Sequence, residues 1–196
     1  MSERHADRGA SGAVTTPTGR LGMLLLLAAL AMLFAASIVG FLIVRLRAPS
    51  WPPAGMPRLP ATLWLSTALI LASSVAIEWA LRGARRSDDR ALGRGLALAL
   101  LLGGAFLVNQ TVGWFALVAA RLTATVNLYG FTFFMLTGLH AAHVLGGLVP
   151  LAVVTARVWR ANAAPMPRAG AAYVAMYWHF LTAVWLVMYA VLLAAS

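Results

Sequence analysis

The residues able to do chemistry in this chain are few. Of 196 residues, four are histidines, five are acids and none is cysteine, which excludes disulfide frameworks, thiolate metal sites and cysteine nucleophiles. His140 and His143 stand three apart, on one face of any helix that carries them. His179 lies among Tyr177, Trp178 and Trp185. Neutral imidazole is the commonest metal ligand, so haem or metal ligation is the sharpest chemistry these three could support. No carboxylate lies nearby in sequence to complete a non-haem iron or zinc site, and hydrogen bonding between helices is the favoured reading. Glu78 is the one acid inside an apolar stretch, and Arg82 follows at i+4, the favourable order for a helical ion pair. It reads as a paired anchor rather than a proton-relay carboxylate. Asn109, Gln110 and Thr111 are too few to line a water-filled path and read as interhelical glue. No dinucleotide, phosphate-loop, zinc-protease or serine-elbow motif occurs in its proper context. Nothing in this set catalyses alone.

The elements that must position these residues are membrane spans. Apolar residues make up 62% of the chain and charged ones 10%, against about half and about a quarter in soluble domains. That excludes an ordinary cytosolic enzyme, a disordered tail and a nucleic-acid-binding domain. The net charge of +10 comes from fifteen arginines without lysine, clustered between long apolar runs rather than in a stripe. A helix needs roughly 20 apolar residues to cross hydrocarbon. Five segments qualify, at about 21–44, 61–81, 95–120, 126–156 and 171–195. The fold expected is therefore all-α, a polytopic membrane bundle of five transmembrane helices over 21–196 behind a disordered arm at 1–20. The first span is too long for a signal-peptide core and reads as an uncleaved anchor. No internal repeat stands out. Prolines 49, 52, 53, 57 and 60 mark one loop, and prolines 165 and 167 another. Arginines fall eleven against four on alternate sides, predicting a cytoplasmic N-terminus and a periplasmic C-terminus. Counted from the inner ends, His143 lies deeper than His179, which argues against a shared haem.

Small residues recur at intervals of four: Ala68, Ala72, Ala76 and Ala80 in the second span, Gly138, Ala142 and Gly146 in the fourth. Such rows let helix backbones approach closely, so both are expected to lie against other helices, in this chain or on a partner. Pro150 cannot donate to the carbonyl of Gly146, which predicts a kink.

Four motifs in order resemble one family, subunit III of the haem–copper oxidases, close to the cytochrome c oxidase branch. They are Trp51-Pro52-Pro53-Ala54-Gly55, the run from Leu63 to Ala80 ending in Trp79-Ala80, Thr137-Gly138-x-His140-x-x-His143-x-x-Gly146, and Tyr177-Trp178-His179-Phe180 with Val184-Trp185. The chain is similar to the family's five-helix form, which lacks the first two of seven helices. Three family carboxylates are absent, with Leu30, Gly113 and Thr182 in their places.

The resemblance implies an accessory, non-redox subunit of a proton-pumping terminal oxidase in the bacterial inner membrane. It would have no cofactor of its own, would bind phospholipid, and would support proton uptake and lasting activity. Its partners would be subunit I, the main contact, and subunit II, which hold haem and copper, within a complex that could join a larger respiratory supercomplex. No nucleic-acid partner is expected. Trp51, Pro52, Pro53, Trp79, Tyr177, Trp178 and Trp185 are the motif aromatics and prolines expected at lipid. Three alternatives stay open: an accessory subunit of a nitric oxide reductase, a quinol oxidase subunit III, and a haem-binding membrane cytochrome.

Overall fold

The computed structural model describes residues 17–53, 60–160 and 168–194. They form five helices, α1 (Pro17–Arg47), α2 (Thr62–Arg85), α3 (Asp89–Ala119), α4 (Leu128–Arg160) and α5 (Arg168–Ala194). Each is long and apolar enough to cross a membrane, and the described residues contain no strand. The fold is the all-α membrane bundle expected from hydropathy. The helices overrun the apolar segments at several ends, because backbone hydrogen bonding continues past the last apolar residue. α1 begins at Pro17, inside the stretch expected to be an arm; proline suits a first helical position, where its missing N–H has no partner to lose. Residues 1–16 lie outside the described residues. α3 begins six residues before the apolar run, at Asp89, since the Asp88 side chain accepts from the Ala91 amide at 2.9 Å and caps it.

The α2–α3 connection is as tight as a helical hairpin allows. Ser87 takes a left-handed φ of 57°, the Asp88 amide donates to the Gly83 carbonyl at 2.9 Å, and the Ser87 amide donates to that of Ala84. This is a Schellman cap closed by a non-glycine residue. α3 ends the same way, with Arg121 at φ 65° and the Leu122 amide donating to Leu117 at 2.9 Å.

α2 and α3 share the longest seam, α3–α4, α2–α5 and α4–α5 close the bundle, and α1 leans on α4 and α5 alone. Trp178, Trp185, Phe34, Phe41, Phe106 and Phe133 fill the core. The seam of α1 is carried by Phe34 and Phe41, while Leu25, Met32 and Leu46 face outward.

Within this chain the small-residue rows divide between buried and exposed positions. Ala76 and Ala80 are buried, with the backbone of Ala80 so near Gly95 that a Cβ there would approach it to 2.8 Å. Ala68 and Ala72 are exposed. Four residues advance about 400° around a helix, so a row with that spacing drifts off its face by about 40° each step. The row that holds its face steps by seven, Ser66, Ser73 and Ala80, all fully buried. In α4 the packing face is Phe133, Leu136, His140, Val144 and Leu151. Burying those turns Gly138, Ala142 and Gly146 outward, and an added Cβ at either glycine would meet nothing within 4 Å. α4 continues past Pro150 to Arg160 as one helix.

Candidate functional site

The polar side chains in the membrane are spent on two stripes of α2. The stripe facing α3 carries Ser66 and Ser73. Ser66 Oγ donates to Gln110 Oε1 at 3.2 Å and accepts from Asn109 Nδ2 at 2.8 Å, while Asn109 also donates to the Thr62 carbonyl. Ser73 Oγ donates to the Ala99 carbonyl at 2.9 Å. The stripe facing α5 carries Thr67 and Ser74, again seven apart. Thr67 Oγ1 accepts from Trp185 Nε1 at 3.0 Å and donates to its own helix at Leu63. Trp114 Nε1 makes the matching α3–α4 bond to Thr137 Oγ1 at 3.1 Å. Thr111 does not join them: it is exposed, with its hydroxyl turned back to the Leu107 carbonyl.

The three membrane histidines do not bond to one another, although the Phe34 ring packs on both His140 and His143. His140 is fully buried, and neither ring nitrogen has a hydrogen-bond partner. It was expected to bond between helices. Instead it is packed among aromatic rings, with centroids of Trp185 at 5.1 Å, Phe106 at 5.7 Å and Phe34 at 6.1 Å. The Phe106 ring stands at 81° to it, an edge-on arrangement that lets an imidazole N–H meet a π-face. His143 donates from Nδ1 to the carbonyl of Leu139 at 2.7 Å, within its own helix, and the Tyr177 hydroxyl donates to the backbone carbonyl of His143 at 3.0 Å. His179 Nδ1 lies 2.6 Å from Ser74 Oγ on α2. Among the described residues no three potential ligands converge on a metal position.

At the start of α4, Trp51 stacks edge-on with Phe41 at 5.6 Å and Tyr129 at 4.9 Å, under the Arg45 guanidinium at 5.8 Å. Pro52 and Pro53 are half-buried beside it; Ala54 and Gly55 lie outside the described residues. The fully buried Trp178 indole lies in a seat made by Gly103 of α3 and Gly147 of α4, where a Cβ would come within 2.6 Å and 3.4 Å of its ring. Trp79 is exposed on α2. Glu78 lies 3.4 Å from Arg82 and 3.7 Å from Arg85, both arginines about two-thirds exposed. Such an exposed pair contributes at most about 1 kcal/mol.

One groove is open between the first half of α1 and the last halves of α4 and first of α5. It measures about 660 Å³ and is lined by Leu26, Leu30, His143, Gly146, Pro150, Tyr177 and, at one end, Arg157. The outward-turned Gly146 is thus part of a groove wall. Sequence reasoning missed this groove and the two hydroxyl stripes. The stripes had a signal, pairs of Ser or Thr seven apart at 66 and 73 and at 67 and 74, whereas the groove depends on how far α1 diverges.

The indole bond to Thr67 can be tested from the threonine side, where the near-isosteric Thr67→Val removes the acceptor without hollowing the core. It should cost about 1–3 kcal/mol, because it leaves a buried indole N–H without an acceptor. Unfolding by detergent titration would measure it, and native-like stability would contradict the bond.

A family model described as cytochrome c oxidase subunit III matches residues 4–195. Cytochrome c oxidase subunit 3 of Corynebacterium diphtheriae is 38% identical over 120 residues, 61% of this chain and 58% of its own length. The same-named protein of Lumbricus terrestris is 34% identical over 180 residues, 87% of this chain and 67% of its own. A probable cytochrome c oxidase subunit 3 of Mycobacterium leprae is 30% identical over 166 residues, 82% and 80% of the two lengths. The match to the corynebacterial relative therefore spans less than two-thirds of that protein.

Proposed function

The chain belongs to the cytochrome c oxidase subunit III family, and from that membership we propose that it is the accessory, non-redox subunit of a haem–copper terminal oxidase. In this role it packs on subunit I, shares the complex with subunit II, holds phospholipid, stabilises the assembly and supports proton uptake. The observation that carries the reading is how the polar groups are used. Ser66, Thr67, Ser73, Gln110, Trp114, Thr137 and Trp185 bond to one another or to neighbouring backbone, so they hold helices together. Among the described residues His140 packs on aromatic rings, His143 bonds within its own helix and His179 meets Ser74.

Phospholipid would occupy the groove between α1, α4 and α5. Its walls are apolar along Leu26 and Leu30, suited to an acyl chain, and Arg157 at its end suits an anionic headgroup. Leu30 and His143 both line this groove, so an apolar wall stands where the family resemblance implied a carboxylate. Proton handling attributed to that acid does not transfer to this chain; any support for uptake runs through lipid and the arginine-rich ends. Those ends, Arg82 to Arg94 at the α2–α3 turn and Arg157 and Arg160 on α4, are exposed. They favour a cytoplasmic N-terminus and a periplasmic C-terminus in a bacterial plasma membrane.

The test is affinity purification through a tag on this chain, with identification of what comes with it. Oxidase subunits I and II are the expected companions, and the isolated chain should show no haem absorption in a reduced-minus-oxidised spectrum. Recovery with a nitric oxide reductase instead, or a Soret band belonging to the isolated chain, would overturn the reading.

A further inference from the structure

At the edge where α2 meets α5, an imidazole lies at mid-membrane depth with only half of its hydrogen bonding met. His179 is partly buried, and its Nδ1 lies 2.6 Å from the Ser74 hydroxyl. Nε2 has no partner among the described residues and is not among the enclosed orphan atoms, so it opens to the outer surface of the bundle. Whichever tautomer the Ser74 bond fixes, Nε2 is left as a donor or an acceptor in need of a complement. Ser74 stands eight residues from Arg82 at one end of α2 and twelve from Thr62 at the other, about 12 Å and about 18 Å along the axis. A lipid headgroup does not reach that depth, and an acyl chain can neither donate nor accept. A water-filled recess would need polar walls, whereas the exposed residues on this edge are Leu71, Val75 and the small Ala183, and Glu78, one turn from Ser74, is already paired with Arg82 and Arg85.

We propose that this α2–α5 edge, centred on His179, docks a transmembrane helix of a neighbouring subunit, which completes the imidazole's hydrogen bonding with a polar side chain of its own. The inference rests on the reading of this chain as a subunit of an oxidase complex. A polar group with an unmet bond in hydrocarbon is costly, and helix partners are the usual way membrane proteins meet it. Exposed Ala183, one turn from His179 on the same face of α5, leaves room for a second backbone to come close.

The experiment is done on the intact complex purified from its own membranes. A benzophenone amino acid at Val75, which is 69% exposed one residue from Ser74, is irradiated in the assembled oxidase. The expected result is an adduct containing a peptide of a second subunit. An adduct with phospholipid alone, or none, overturns the docking face. Independently, His179→Leu should lower the fraction of this chain retained in the detergent-purified complex about threefold, one membrane hydrogen bond's worth. Ser74→Ala, which removes only the bond inside the chain, should leave retention near the native level. Equal losses from both variants, or no loss from His179→Leu, would mean that the pair serves this chain's own packing, and the proposal would be wrong. Failure of the unaltered chain to co-purify with any oxidase subunit would sink the underlying reading and this inference with it, a result distinct from co-purification with a lipid-only adduct.

Discussion

Gly95→Leu is expected to remove this chain from the membrane, and Gly138→Leu is not, although both glycines stand among small residues of a transmembrane helix. At Gly95 an added Cβ would lie 2.7 Å from the Ala80 Cβ and 2.8 Å from the Ala80 backbone. A flexible side-chain tip could swing aside, but a helix backbone cannot, so α2 and α3 would have to separate along their longest seam. Overpacking costs about 1–3 kcal/mol in ordinary cores, and a clash with backbone belongs at the upper end. The loss would extend to Ser73, whose bond to the Ala99 carbonyl crosses the same seam one turn further on. At Gly138 nothing lies within 4 Å of the added atom, so the chain should insert and fold as usual. Quantifying both variants in membranes, with detergent-titration unfolding of what accumulates, decides the matter. Normal amounts and stability of Gly95→Leu would refute the seam as described. If Gly138→Leu folds but leaves the purified complex, the contact lies on a partner.

That contrast also marks where sequence reasoning stopped. The number, order and approximate ends of the helices were legible because hydrocarbon thickness imposes a length that few other structures imitate. Family motifs singled out Trp178, Trp185, His140 and Tyr177, but Trp178 and Trp185, expected at lipid, are fully buried, because their indoles are the largest side chains available to fill the space between the helices. Which face a small residue occupies was not legible from a spacing of four, since drift carries Ala68 and Ala72 to the surface while Ala76 and Ala80 stay inside. Hydrogen-bond partners were harder still. Ser66 and Gln110 are 44 residues apart and Thr67 and Trp185 are 118 apart, and nothing local in either sequence names the other. His140 shows the opposite failure: a polar residue type suggested a hydrogen bond, and the bundle gave it aromatic rings instead. The helix ends at Ser87 and Arg121 were hidden because neither residue type advertises a left-handed φ.

Oxidase stripped of this chain is expected to begin oxygen consumption at close to the normal rate and then to fail progressively as turnover continues. The first half follows from the proposed role: no electron passes through a subunit without a redox centre, so haem and copper in the partners should still meet oxygen. The second half follows from what the chain holds against them. Exposed arginines at 82, 85, 86, 90 and 94 and at 157 and 160 gather at the helix ends proposed to face the cytoplasm, the side of the proposed proton uptake. Each attracts anionic headgroups by about 1 kcal/mol, so losing the chain would strip lipid from the flank of subunit I and expose it. Acid medium supplies protons abundantly and should mask the deficit, so the initial rate should be normal at low pH. As protons become scarce at alkaline pH, supply along a headgroup-coated surface matters more, and the initial rate should drop there. Loss over successive turnovers should appear at both pH values. Milder versions are expected from His140→Ala, which hollows the aromatic cluster of Phe34, Phe106 and Trp185, and from His179→Ala, which breaks the contact with Ser74. The measurement is oxygen uptake through many turnovers, with and without the chain, at two pH values, alongside the haem spectrum. If activity disappears at once and haem is lost in proportion to the chain, then a redox centre or one of its ligands belongs to this subunit, and the accessory role proposed for it is wrong.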